Sequence, residues 1–328
     1  MAEEIKKDKA LNAMGPDRPA SRSLAWDVFL LVIANVCWGS TDVAAKYALA
    51  EMSPQALLWT RLSMALLAFL PVLWVKRAEI PRSVGGLLPF VGLALCGFVL
   101  DFALVYYGLK FAPASHATAF RVTETLAIVV LSALILREKV GKRAIAGLVC
   151  GIAGVALVLN IDFGNLSPFK SGARLGDLLI LAGIVVEGLY TVIGKAVLKK
   201  TSPITATALA LFFGWVIVTI IYGAPVISGF RASPPSPGAL LICLYLGLVA
   251  LAIMYGIYYS VLSRRDSHRV AMAIMIQPLV GIPLAALIFH DPLTPRFLSG
   301  AGLIIAGVYL AMALRPNKVS PPKNPESI

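Results

Sequence analysis

The sequence predicts an all-α polytopic membrane protein of ten transmembrane helices, arranged as two inverted five-helix repeats with the N- and C-termini in the cytoplasm. Three observations predict it. Apolar runs long enough to cross ~30 Å of hydrocarbon as helices recur along the chain. Lysines and arginines alternate between dense and sparse loops. The first half of the chain is echoed in the second. Composition agrees, with 59% hydrophobic residues, only 14% charged residues and a mean hydropathy of +0.83, far from the values of soluble domains.

The apolar runs cover residues 27–47, 54–75, 87–109, 113–136, 142–160, 175–198, 203–223, 238–262, 267–289 and 295–314. Prolines, glycines and charges punctuate the gaps, as in "EMSP", "KRAEIPRS", "REKVGKR", "SPFKSG" and "RASPPSPG". No gap holds a second soluble domain. Residues 1–26 are rich in charge and proline, lack the apolar core and cleavage site of a signal peptide, and read as a disordered cytoplasmic tail. The proline-rich residues 315–328 read the same way, because such a segment buries too little apolar surface to fold alone.

Orientation follows from the 29 lysines and arginines. With the N-terminus inside, cytoplasmic segments hold 21 of them and the opposite side six, Lys46, Lys110, Lys170, Arg174, Arg231 and Arg296; Arg61 and Arg121 lie within spans. Short cytoplasmic loops carry this excess, so the formal charge of +12 reflects topology and not a nucleic-acid footprint.

The repeat is visible residue by residue. "WGSTDVAAK" from Trp38 lies over "EGLYTVIGK" from Glu187, pairing Gly39 with Gly188 and Lys46 with Lys195 at an offset of 149; Ser53-Pro54 recurs at the same offset as Ser202-Pro203. Later the offset becomes 153, where Glu124 meets Gln277, "ALI" at 133 meets "ALI" at 286, and Glu138 meets Asp291. "IAGVAL" from Ile152 also falls on "IAGVYL" from Ile305. Five spans per repeat is an odd number, so the second copy enters the membrane from the opposite side. Residues 27–160 and 175–314 are the expected repeats, and such a pair can expose a central site to either side in turn.

The "WG" to Lys motif opening the chain's first half and its "EG" to Lys counterpart, the acid after the fourth span (Glu138, Asp291) and the glycine-rich closing span resemble the EamA-type halves of the drug/metabolite transporter superfamily. The resemblance covers residues 27–314. It implies ten helices, location in a bacterial inner membrane, and export of small metabolites, with amino-acid exporters, including aromatic ones, a prominent branch. A monomer or weak homodimer is expected, with no cofactor. The sequence departs from the family at one point: the proline near the middle of the fourth span, matched by Pro278 in the ninth, is here Thr125, so a break there has no proline to make it.

Polar groups inside the spans locate the candidate site, because a charge at mid-bilayer costs at least ~2.5 kcal/mol and faces a partner or a wet cavity. The first half holds Asn35, Asp42, Arg61, Asp101, Arg121 and Glu124; the second holds Glu187 and Gln277. Asp42, Arg61, Asp101, Arg121, Glu124, Glu187 and Gln277 are candidates to line one cavity. A zwitterionic amino acid needs an acceptor for its ammonium and a donor for its carboxylate, and Arg121 offers a fork for the latter. The competing structural reading makes Asp101 with Arg121, or Asp42 with Lys46, mutually satisfying ion pairs. Lys46, at a span's end, reads as a boundary residue able to snorkel.

Trp38, Tyr190 and Tyr255 lie deep and read as walls around a substrate side chain. Tyr106, Tyr107, Tyr258 and Tyr259, near span ends and related by an offset of 152, read as interfacial belt residues, and Trp59, Trp74 and Trp215 as belt or lipid-facing. Gly39, Gly188, Pro278 and Pro283 are candidate hinges. Gly147, Gly151 and Gly154 in the fifth span, with Gly300, Gly302 and Gly307 in the tenth, permit close helix approach within or between monomers.

Cys37, Cys96, Cys150 and Cys243 and the three histidines, His116, His268 and His290, show no metal-ligand spacing, and no phosphate loop is present. His290 beside Asp291 reads as a solvated pair. An enzyme is not expected. The alternatives are a polytopic enzyme acting on a lipid or prenyl substrate, which needs clustered acids or histidines near one interface, and a carrier of another metabolite such as a nucleotide sugar or drug. Facilitated export is preferred over proton antiport, for which Glu124, Glu187 and Asp101 are the candidate proton carriers.

Orientation has a direct test. In a cysteine-free background, Ser171→Cys and Ser233→Cys should react with an impermeant maleimide from outside intact cells, and Ser83→Cys should not; the reverse pattern would overturn the inside location of the basic loops.

Overall fold

The computed structural model describes residues 24–135, 142–158, 172–198, 200–262 and 272–312. The two tails (apart from Leu24 to Trp26), Glu138, Lys170, Ser171 and His268 lie outside the described residues. Among the described residues all regular structure is helical. In chain order the helices are α1 (Leu24–Gly39), α2 (Thr41–Ala48), α3 (Pro54–Val75), α4 (Val84–Ala94), α5 (Asp101–Leu109), α6 (Ala114–Arg121), α7 (Thr123–Ile135), α8 (Lys142–Val158), α9 (Gly172–Val197), α10 (Pro203–Val218), α11 (Ala224–Ala232), α12 (Pro237–Leu244), α13 (Met254–Leu262), α14 (Gln277–Phe289) and α15 (Pro295–Met312). Three π-helical segments splice α4 to α5 (Leu95–Leu100), α10 to α11 (Thr219–Gly223) and α12 to α13 (Tyr245–Ile253).

Among the described residues, six stretches are long and apolar enough to cross a membrane: Ala25–Ala48, Pro54–Val75, Val84–Leu109, Gly172–Gly194, Pro203–Ala232 and Pro237–Val261. Ile145–Val158 and Gln277–Phe289 are shorter apolar helices. Leucines, isoleucines and valines such as Leu67, Val75, Ile220 and Leu287 face outward at more than half exposure, as a lipid-facing surface requires.

Local chemistry sets the helix starts. Proline occupies the first turn of α3, α10 and α12, where its missing N–H costs nothing, and serine precedes it each time. Ser53 and Ser236 accept from the amides of Ala56 (3.2 Å) and Ala239 (3.1 Å). Breaks are set as locally. At Ser40 the first helical stretch kinks, with the Ser40 and Thr41 hydroxyls donating back to the Cys37 and Trp38 carbonyls. The fourth stretch breaks at Val122 although no proline stands at the break. Thr123 donates to the Phe120 carbonyl at 2.6 Å, so hydroxyl back-bonding accompanies the break there. In the ninth stretch a 3-10 turn (Met272–Ile276) gives way to α14 at Gln277-Pro278.

Glycines decide the closest crossings. A Cβ on Gly154 would lie 2.6 Å from the Gly300 carbonyl oxygen, and one on Gly307 2.6 Å from that of Gly147. The small-residue stripes of α8 and α15 therefore meet each other within one chain. Gly39 packs on Gln277 and Val280, while Gly188 packs on Ala127. Gly247 packs on Arg61, Met64 and Ala65, while Gly214 packs on Ala94, Phe98 and Val99.

One polar strut ties distant segments at an end of the bundle. Glu79, in the short 3-10 turn Arg77–Glu79, accepts from Lys76 (2.6 Å) through one oxygen and from Ser202 (2.7 Å) and Thr205 (2.6 Å) through the other. These hydrogen bonds, Lys76 foremost, push its carboxyl down to about 2. A depressed carboxyl contributes stability that is complete above its unfolded value and is lost as pH falls through the folded one. Glu79→Gln should therefore lower the thermal midpoint in detergent at neutral pH, by on the order of 0.5 kcal/mol because the group is exposed. The difference from the wild type should close as the pH approaches 2; a difference that persists there would show that the strut does not act through the ionised carboxylate.

Candidate functional site

The break at Val122 leaves Arg121 as the last residue of α6, and its guanidinium reaches the centre of the bundle, 12% exposed. Asp42 on α2 takes it in a fork, with Nε 3.3 Å from Oδ2 and Nη2 3.2 Å from Oδ1. Glu187 on α9 accepts from Nη1 at 2.5 Å, and Asp101 at the start of α5 lies 3.7 Å from the same nitrogen. Thus the one guanidinium joins four separate helices. Glu187 also accepts from the Tyr255 hydroxyl at 3.1 Å, and Glu124, one turn beyond Arg121, is buried and accepts from Thr191.

Aromatic rings wall this cluster. Trp38 donates from Nε1 to the Ala250 carbonyl in the longest π-helical segment (2.8 Å), with its ring 5.1 Å from that of Tyr255 and 5.2 Å from that of Tyr258. Tyr190 meets Tyr259 edge-on at 5.7 Å and Phe98 at 5.4 Å. Gln277, at the start of α14, donates to Asn35 (2.9 Å), which donates to Leu31 in its own helix. A cavity of about 50 Å³ lies among Trp38, Arg121, Glu124, Glu187, Tyr190, Tyr255 and Gln277. That is room for a few waters, about sixfold below the ~300 Å³ at which ligand pockets begin, so the bundle is closed around the cluster. A wider cavity of about 680 Å³ lies between Glu51–Ala56 and Tyr222–Pro235. It offers one carboxylate and no cation, so it lacks the paired charges of the central one.

Of the sequence candidates, Trp38, Asp42, Asp101, Arg121, Glu124, Glu187, Tyr190, Tyr255 and Gln277 all converge on this centre. Asp42 and Lys46 form no pair: Lys46 donates to the Ala112 carbonyl at 2.5 Å, 5.8 Å from the Phe289 ring. Among the candidate hinges, Gly39 adjoins the Ser40 kink and Pro278 lies in the first turn of α14, while α9 runs unbroken through Gly188 and α14 through exposed Pro283.

Several readings are corrected. Tyr106, Tyr258 and Tyr259 are 2%, 8% and 4% exposed and face the interior, not the membrane interface. Position along a span gives depth but not the direction a side chain takes around the helix. Trp59 and Trp215 brace α3 to the seventh stretch, donating to Thr219 (3.0 Å) and Ser63 (2.9 Å); Trp74, 71% exposed, fits the belt. Asp291 accepts from the Ser115 amide at 2.9 Å in the first turn of α6, and so serves that helix start instead of forming a solvated pair with His290. Arg61, counted among the charges that converge on one cavity but not chosen as a substrate contact, lines that cavity. It donates to the Leu246 carbonyl (3.1 Å) and the Tyr106 hydroxyl (2.6 Å), with Phe102 3.9 Å beneath it. Its charge within a span was the available signal.

Outward-facing apolar helices enclosing a buried, charged and aromatic cavity define a multi-pass membrane protein. The EamA-like transporter family matches residues 25–160 and again 174–313, and the chain belongs to that family. It is a membrane transporter and not an enzyme. It is 28% identical to an uncharacterized transporter of Archaeoglobus fulgidus, over 87% of this chain and 96% of that one. It is 26% identical to a probable amino-acid metabolite efflux pump of Salmonella typhimurium (87% and 94% covered) and 25% identical to one of Escherichia coli (87% and 94%). A crystal structure superposes with a TM-score of 0.58 at 16% identity, covering 88% of this chain and 97% of that one, which shows the fold alone.

Because Arg121 neutralises buried Asp42 and partly buried Glu187 at once, Arg121→Gln should destabilise the protein by about 3–5 kcal/mol. Arg121→Lys, a point charge without the fork, should cost less, and adding Asp42→Asn to Arg121→Gln should recover part of the loss. Thermal unfolding in detergent checks the series; a neutral Arg121→Gln would rule out Arg121 as the charge that holds these acids.

Proposed function

We propose that the chain is a secondary exporter of small metabolites, most directly amino acids with aromatic or other neutral side chains, working by alternating access between two inverted five-helix repeats. Ten spans, both termini in the cytoplasm and an inner-membrane location complete the reading, with a monomer or weak homodimer as the working unit. Two pairs of contacts support the inverted repeat. Gly39 on Gln277 and Val280 recurs as Gly188 on Ala127, and Gly247 on the Arg61–Ala65 turn recurs as Gly214 on Ala94 and Phe98. Each pair is related by the same offsets, near 149 and 153, that relate the sequence motifs. Each half thus contributes one helix to the other's packing, and exchange of these equivalent contacts is a route from one access state to the other.

The observation that carries the substrate class is the joining of the Arg121 guanidinium, two carboxylates and six aromatic rings around one cavity. Carboxylates and ring faces suit an ammonium group, the fork suits a carboxylate, and Trp38 with the tyrosines suits an apolar or aromatic side chain. The closed cavity is too small for such a molecule. Binding therefore parts the helices and exchanges the Arg121–Asp42 fork for a fork to the substrate. The efflux pumps among the relatives agree with this class.

Purified protein in liposomes should show saturable, counter-stimulated flux of aromatic or neutral amino acids. Trp38→Leu should weaken apparent affinity for an aromatic substrate about 3–10-fold and for a small neutral one much less. Flux indifferent to every amino acid but present for another metabolite would overturn the class.

A further inference from the structure

Asp101 is the one carboxyl of the central cluster left without a donor. It is 0% exposed, and neither carboxylate oxygen makes a hydrogen bond. Arg121 Nη1 lies 3.7 Å away but is already engaged by Glu187 at 2.5 Å, and Arg121 gives its remaining fork to Asp42. Arg61, the other buried cation, spends its hydrogen bonds on neutral groups, the Leu246 carbonyl and the Tyr106 hydroxyl.

The helices packed on α5 are α9, α3, α2 and α6, joined by the π-helical turn before it. They present to Asp101 the charged groups Glu187, Arg61, Asp42 and Arg121; Glu124 and the Tyr255 hydroxyl add to its surroundings from α7 and α13. On the opposite side Gly183 backs the carboxyl, with the position of a Cβ only 3.3 Å from Oδ1, and offers no donor. The four acids Asp42, Asp101, Glu124 and Glu187 thus share two guanidinium groups, only one of which reaches carboxylates. An ionised, undonated carboxylate in a fully buried position costs several kcal/mol, and a proton removes that cost.

We propose that Asp101 is a proton-binding site and that one proton on it exchanges for one amine-bearing substrate, making export proton-coupled. The coupling rests on the transport reading above; the proton site does not. In the closed state Asp101 holds the proton as a neutral carboxylic acid. When the substrate's ammonium enters from the cytoplasm, the O–H bond of Asp101 breaks, the proton passes to cytoplasmic water, and the carboxylate faces the ammonium. After the substrate leaves on the far side, a proton from that side re-forms the O–H bond and the cluster closes. Substrate moves out and one proton moves in, with no net change in the protein. This proposal departs from the preference for facilitated export drawn from the sequence, because spacing did not show that Asp101 is the acid left without a donor.

Two measurements test this. The first needs no substrate: infrared spectra of reconstituted protein at neutral pH, wild type minus Asp101→Asn, should show a protonated-carboxyl C=O band that the variant lacks. Should that variant not be recovered, the band remaining in Glu124→Gln serves instead. Absence of the band overturns the proton site. The second is amino-acid flux in proteoliposomes. A pH gradient of one unit should drive about tenfold substrate accumulation at one proton per substrate, and Asp101→Asn should abolish the response to the gradient. Wild-type flux equal with and without the gradient overturns the coupling. A band with no flux of any amino acid leaves the proton site standing and defeats the transport reading instead.

Discussion

Everything at the centre of this protein depends on the guanidinium of Arg121. Helices in a bilayer gain little from burying apolar side chains against one another, since lipid is equally apolar, so close packing and polar contacts hold them together. Here a single cation at the end of α6 is the common partner of acids on α2 and α9, with the acid of α5 beside it. A charge shared this way is costly to strand. The helices carrying the acids must therefore stay gathered around it or find a replacement for it, and the proposed substrate, bearing both an ammonium and a carboxylate, is such a replacement.

The glycine crossings suit the proposed exchange between access states. Gly39 against Gln277 and Gly247 against the Arg61 turn bring backbones together without large interdigitating side chains. The serine, threonine and π-helical irregularities at Ser40, Val122 and the Tyr245–Ile253 segment relax the helical ladder beside the cavity. Breaks made by hydroxyls occur where the fourth stretch has no proline, so bending in this bundle is not confined to proline positions. The stripes of α8 and α15 are different in kind. They set glycine against glycine carbonyl away from the charge cluster.

The aromatic wall links the same geometry to selectivity. Trp38 is fastened through its indole N–H to a carbonyl of the π-helical segment, and Tyr255 is fastened to Glu187. Both rings are thus positioned by polar contacts and keep their faces toward the cavity. When Glu187 changes partner, the Tyr255 hydroxyl loses or keeps its acceptor with it, so ring placement and charge pairing are not independent.

By itself the sequence determined the class of the molecule, its family and the residues that meet at its centre. Hydropathy has a length scale set by the bilayer, and charges within apolar runs are too costly to be incidental, so both are legible without coordinates. Tertiary structure decided who pairs with whom. Lys46 is near Asp42 in sequence but turns to the Ala112 carbonyl, while Arg121, 79 residues away, takes the fork. It also turned Tyr106, Tyr258 and Tyr259 inward and brought Arg61 to the cavity wall. The reason is that periodicity reports depth and the face of one helix, whereas a partner is set by how several helices are rotated against one another. That rotation is fixed by close glycine crossings and shared charges far apart in the chain. Asp101 shows the difference most plainly: an acid in an apolar run is visible in the sequence, but that no donor reaches it is known only once its neighbours are in place.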